Sequence, residues 1–197
     1  MLQELRNTAK KYILFDLDGT IIDSAESILS SFDKVFQKHK ISPLKKLDKH
    51  IIGPPLNETF INLIEKPTDK LINSMVEDFK FFYDKEDYKL SRLFPEILEC
   101  LKLLKNQKKI LIIITNKRKA PTKKIIELLN LDEFFKSSYS LDSFNPKMKS
   151  KSNVIKEVLS LERIDQKKAI YVGDRIEDGE ASNKNNIEFI MVPWGYN

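Results

Sequence analysis

The chain has 197 residues, 34 Lys+Arg against 29 Asp+Glu, and a formal net charge of +5. Its hydrophobic share of 41% supplies a real core and argues against a disordered chain, and its length suits one domain or a core with a modest insertion. No apolar run approaches the roughly 20 residues of a membrane helix, and Tyr12-Ile13-Leu14-Phe15 is too short for an export signal.

One cysteine, Cys100, excludes an intrachain disulfide framework and points to a reduced, cytoplasmic setting. The lysines are spread along the chain among acids. They read as a solvated surface, so nucleic acid is not the expected partner. Only 5 glycines occur, at 19, 53, 173, 179 and 195, which suggests positions where only glycine fits.

In chain order, residues 12–17 read as a buried strand ending in an acidic turn. Asp23 and Glu26 fit a capping box for a long amphipathic helix carrying Ile28, Phe32, Val35, Phe36 and His39 on one face. Prolines at 43, 54, 55 and 67 punctuate two further helices, 57–64 and 68–83, so residues 21–91 read as all-helical. The pattern then alternates. Helices are expected at 95–106, 121–130, 151–161 and 178–185, and strands at 110–115, 137–140, 169–172 and 187–192. This is an α/β fold with a mainly parallel, Rossmann-like sheet and a helical insertion after the first strand. The expected division is a core of residues 1–20 and 92–197 and a cap of residues 21–91.

In open parallel sheets, reactive residues gather at the carboxyl ends of strands. Here those ends carry Asp16 and Asp18, then Thr115-Asn116, then a lysine cluster from Lys147 to Lys151, then Asp174 and Asp178. Converging carboxylates repel, and a divalent cation relieves the repulsion. An oxygen-only donor set points to Mg²⁺ rather than Zn²⁺. A carboxylate nucleophile, a metal, a hydroxyl donor and a lysine together make a phosphoryl-transfer site.

These motifs resemble a known group. Phe15-Asp16-Leu17-Asp18-Gly19-Thr20, Ile112-Ile113-Ile114-Thr115-Asn116-Lys117, Lys151 before Ser152-Asn153, and Tyr171-Val172-Gly173-Asp174-Arg175-Ile176-Glu177-Asp178 look like the four ordered motifs of haloacid dehalogenase-like hydrolases. Within these, the chain is most similar to the phosphoglycolate phosphatase-like subgroup, and Ile51-Ile52-Gly53-Pro54-Pro55-Leu56 resembles its cap loop.

The resemblance implies a C1-type helical cap and a role for each position. Asp16 would be the nucleophile, and Asp18 the acid that protonates the leaving group and then activates water. Mg²⁺ would sit on Asp16, the Asp18 backbone carbonyl and Asp174, with Asp178 holding the metal's water shell or orienting Lys151. Thr115, Asn116 and Lys151 would hold phosphate oxygens, and Gly53 and Pro54 would touch substrate. Lys147 and Lys149 compete with Lys151.

The expected activity is Mg²⁺-dependent hydrolysis of a small phosphorylated metabolite: phosphoglycolate, a sugar phosphate, a nucleotide or pyrophosphate. The expected assembly is a monomer or homodimer. The alternatives are a phosphomutase on the same scaffold and a basic nucleic-acid-binding protein. His39, His50, Cys100 and Trp194 read as packing or surface residues, and Arg175 as half of a surface ion pair. One departure stands out: the subgroup usually has glycine after the proline that returns the cap to the core, and here Pro95 precedes Glu96.

Overall fold

A computed structural model describes residues 2–196. The chain divides into two compact units. One comprises residues 2–23 and 92–195; the other comprises residues 24–91, with Tyr196.

The first unit is built on β1 (Tyr12–Phe15). Its Ile13, Leu14 and Phe15 are all buried, as a strand covered on both faces requires. Parallel neighbours flank it: β4 (Ile110–Thr115), in the register Phe15 to Ile113, and β6 (Ala169–Gly173), in the register Phe15 to Val172. β5 (Phe135–Ser140) pairs with β4 and β7 (Glu188–Met191) with β6, giving the order β5-β4-β1-β6-β7 with every pairing parallel. This is the expected α/β sheet. β1 lies at its centre, where the connections part to either side, so the carboxyl end of β1 opens into the crevice such sheets use for ligands.

The helices of this unit are α1 (Leu2–Asn7), α5 (Ile97–Asn106), α6 (Lys119–Leu128), α7 (Lys151–Leu161) and α8 (Ile176–Asn183). Val154, Ile155 and Val158 of α7 and Ala181 of α8 bury one apolar stripe against Leu14, Ile112, Ile114 and Tyr171 of the sheet. Helix α1 was not expected; its short pattern, carried by the buried Leu5, is too brief for periodicity to reveal.

The second unit packs α2 (Ala25–His39), α3 (Leu56–Leu63) and α4 (Asp69–Lys85) around Phe32, Phe36, Phe60, Met75 and Phe79. Tilted and edge-on ring pairs at 4.8–6.4 Å join four of these aromatics, geometries that suit their quadrupoles. The buried Asp87 is satisfied by Ser31 Oγ at 2.8 Å and by the Lys34 ammonium.

Two local expectations fail. Ile22–Asp23 is a short strand, β2, paired antiparallel with β3 (Arg92–Leu93), so the segment after β1 is not wholly helical. Asp23 is therefore in the ribbon and no capping box forms; Ser24 is the N-cap of α2, without a side-chain cap. Pairing with Arg92, 69 positions along the sequence, overrides the local signal.

Candidate functional site

The carboxyl end of β1 is held by backbone bonds before any side chain acts. The Asp16 N–H donates to the Val172 carbonyl at 2.9 Å, fixing the strand end against β6. The Leu17 carbonyl then accepts from Thr20, Ile21 and Ile22 at 3.0–3.3 Å, folding residues 17–22 into a tight loop. Gly19 stands in this loop at φ 79°, and a Cβ there would lie 2.3 Å from Asp174 Oδ2. Only glycine admits both the turn and the close approach.

Three carboxylates meet beside that loop. Asp16, Asp174 and Asp178 are all buried and offer oxygens within 4.8 Å of one another. Asp174 follows β6, and Asp178 lies in the first turn of α8. The two oxygens of Asp178 have separate tasks. Oδ2 accepts the Arg175 N–H at 3.2 Å and so caps α8, while Oδ1 accepts from Lys151. Thr20 Oγ1 donates to Asp174 Oδ1 at 3.5 Å.

Lys151 opens α7, where a cation opposes the helix dipole. Two carboxylates offset that cost: its buried ammonium donates to Asp16 Oδ1 at 2.9 Å and to Asp178 Oδ1. The Tyr171 ring lies 5.8 Å from the ammonium, with its hydroxyl tied to the Ile114 carbonyl at 2.6 Å. Asn185 Nδ2 bonds Ser152 and the Ala181 carbonyl, locking α7 to α8 beneath the cluster. Lys147 and Lys149 are exposed, so of the three candidate lysines it is Lys151 that enters the cluster.

One ammonium does not balance three carboxylates. Burial, reinforced by Asp178 and Asp174, pushes the Asp16 carboxyl up to about 7 although Lys151 pulls it down. Lys151 is the converse case: burial opposes its charge, yet Asp16 and Asp178 hold it well above the ordinary lysine value. A buried all-oxygen cluster with surplus negative charge fits a hard divalent cation.

Thr115 ends β4, buried, and its Oγ1 accepts the Lys117 N–H at 3.2 Å. The hydroxyl hydrogen is thus left to donate elsewhere. Asn116 beside it is exposed.

The Asp18 carboxylate is not part of the trio. Lys117 Nζ donates to its Oδ1 at 3.0 Å and its Oδ2 at 3.2 Å. Sequence reasoning gave Lys117 no role; its only signal was its place directly after Thr115-Asn116.

Gly53, at φ 122°, and Pro54 are exposed residues of the second unit, ahead of α3. Arg175 pairs with Glu177 at 3.2 Å, as expected of a surface pair. His39 bonds Asp78 at 2.8 Å, His50 is exposed, Cys100 is buried, and Trp194 Nε1 donates to the Thr20 carbonyl at 3.1 Å. Among the described residues no helix is long and apolar enough to cross a membrane.

Known proteins resemble this chain over most of its length. The profile of the haloacid dehalogenase-like hydrolases matches residues 13–192. A phosphoglycolate phosphatase of Aquifex aeolicus is 33% identical over 94% of this chain and 86% of its own. The pyrophosphatase PpaX of Bacillus cereus is 29% identical over 92% of this chain and 82% of its own. A haloacid dehalogenase-like family hydrolase of Streptococcus pneumoniae superposes with a TM-score of 0.85 at 26% identity, covering 95% of this chain and 87% of its own. The chain belongs to the haloacid dehalogenase-like hydrolase family and is an enzyme of the phosphatase type.

Proposed function

We propose that this enzyme is a Mg²⁺-dependent phosphatase that cleaves a small cytoplasmic phosphomonoester through an aspartyl-phosphate on Asp16. The observation that carries the reading is the buried Asp16-Asp174-Asp178 trio with Lys151 bridging two of its members. Mg²⁺ would be held by Asp16 and Asp174, with the Asp18 backbone carbonyl, and would supply charge neutralisation for the phosphoryl group. Residues 24–91 would act as the cap that selects substrate, with Gly53 and Pro54 at its contact.

The protein's own groups account for the steps. Asp16 Oδ1 is bound by Lys151, which leaves Oδ2 to attack phosphorus. As the new O–P bond forms, the ester O–P bond breaks, and the departing oxygen takes a proton from Asp18. Asp18, now a carboxylate, takes a proton from water as that water attacks the phosphoaspartate; phosphate leaves and Asp16 is restored. Lys151 offsets the negative charge beside the reacting group, and the Thr115 hydroxyl and the Asn116 backbone hold phosphoryl oxygens.

Phosphoglycolate is the first substrate to test, on the likeness to the Aquifex aeolicus enzyme; pyrophosphate is the second, on the likeness to PpaX. Sugar phosphates and nucleotides complete the panel. The test is steady-state phosphate release with and without Mg²⁺, on wild type and Asp16→Asn. Release that needs Mg²⁺ and vanishes in Asp16→Asn is expected. Wild-type-like turnover in Asp16→Asn, or full activity in excess chelator, would sink the assignment.

A further inference from the structure

We propose that Lys117 is a positioning residue that sets the orientation of the Asp18 carboxylate for proton transfer. This inference rests on the phosphatase reading above.

Both carboxylate oxygens of Asp18 lie within hydrogen-bond distance of the same ammonium, at 3.0 and 3.2 Å. Such a contact turns both oxygens toward one ammonium and so restrains the direction and place of the carboxylate. The Lys117 side chain is 7% exposed and that of Asp18 18% exposed, so the pair is largely withdrawn from competing water.

Each partner is anchored at its backbone. Asp18 bridges to Ile22 within the tight loop, and Lys117 donates its N–H to Thr115 Oγ1 at 3.2 Å. The pair therefore links the loop after β1 to the end of β4, joining the proposed acid to the threonine proposed to hold phosphate.

A carboxyl that delivers a proton to a departing oxygen must be held in one rotamer, because small misplacements cost much of the rate. Lys117 supplies that restraint by holding the carboxylate against the end of β4. In the proposed step the proton passes from Asp18 to the ester oxygen as the P–O bond breaks and the Asp16 O–P bond forms, and Lys117 Nζ then holds both carboxylate oxygens. No other reactant is needed.

Leaving-group dependence tests this directly. An alkyl phosphate must have its departing oxygen protonated, whereas p-nitrophenyl phosphate releases a stable anion. The comparison uses kcat/KM for p-nitrophenyl phosphate and for the alkyl monoester that wild type cleaves fastest in the panel, on wild type, Lys117→Met and Lys117→Arg. In Lys117→Met, kcat/KM for the alkyl ester should fall about 10–100-fold more than for the nitrophenyl ester, and Lys117→Arg should recover part of that difference.

Partial misfolding lowers both substrates alike, so the ratio is read independently of folding. An unchanged ratio would overturn the inference while leaving the phosphatase standing, even if KM rose for both esters, as direct phosphate binding by Lys117 would predict. A wild type that hydrolyses nothing in the panel would overturn the phosphatase reading and this inference with it.

Discussion

Gly195 lies directly against Asp174: a Cβ on Gly195 would stand 2.2 Å from the Asp174 Cβ and 2.5 Å from its Oδ2. The segment that carries Gly195 cannot easily retreat. Trp194 Nε1 is bonded to the Thr20 carbonyl at 3.1 Å, and its ring packs on Phe94 at 6.1 Å. The last residues of the core unit thus form one wall of the acidic cluster.

Gly195→Ala should therefore displace Asp174 and weaken metal binding. The expected cost is about 1–3 kcal/mol of stability, typical of overpacking, together with at least about a tenfold loss of Mg²⁺ affinity, the factor reported for disturbed metal surroundings. Calorimetric Mg²⁺ titration beside thermal denaturation checks both. Wild-type affinity in Gly195→Ala would mean that Asp174 does not hold the ion.

The contribution of Gly195 was not legible in the sequence, and the reason is physical. Gly19 stands beside Asp18 in the chain, so its link to the acidic cluster could be read from neighbours. Gly195 meets Asp174 only through tertiary packing, 21 positions away.

The same divide separates the rest of the site. Strand-end logic and the four motifs led to Asp16, Lys151, Asp174 and Asp178, because each sits at or just past a parallel strand or at a helix start. The Lys117–Asp18 pair needs two loops brought side by side, which periodicity does not encode. The sheet was legible from its apolar runs. The two-residue ribbon of Ile22–Asp23 with Arg92–Leu93 was not, since so short a strand has no pattern of its own.

Glu162 offers a test of how the core unit responds to pH. It follows α7 as the C-cap, where a negative charge opposes the helix dipole. Three donors from β5 compensate: Lys136 Nζ at 2.5 Å, Ser137 Oγ at 2.9 Å and the Tyr139 hydroxyl at 2.8 Å. Burial raises the carboxyl, but these bonds outweigh it and hold Glu162 below the usual glutamate value. A depressed carboxylate contributes stability that is present above its unfolded pKa and lost as pH falls through its folded value. Glu162→Gln should thus cost about 1–2 kcal/mol near pH 7, with much of Lys136 open to solvent. The difference from wild type should shrink below the ordinary glutamate value of 4.5 as Glu162 protonates. Urea unfolding of both proteins across that range reads the effect, and a difference that grows toward acid would refute the sign.

Glu96 tests whether this chain carries a removable strain. It is the residue before α5 and sits at φ 63°, ψ −2°, in the left-handed region. An L-residue with a Cβ pays for that conformation, commonly by roughly 1 kcal/mol, whereas glycine does not. This is the position, directly after Pro95, where the family resemblance led to an expectation of glycine, and a backbone in the left-handed region is one that glycine adopts without strain. Glutamate gains little locally in return, since it makes no side-chain cap to the helix it precedes. Glu96→Gly should stabilise the protein by about 0.5–1 kcal/mol, the relieved strain being partly offset by the greater freedom of glycine in the unfolded chain. Phosphate release should be unchanged, because residue 96 lies outside the acidic cluster and its Lys151 and Lys117 partners. Equilibrium denaturation checks the first part and the steady-state assay the second. A loss of stability would show that the glutamate side chain holds this turn by interactions stronger than the strain of its backbone.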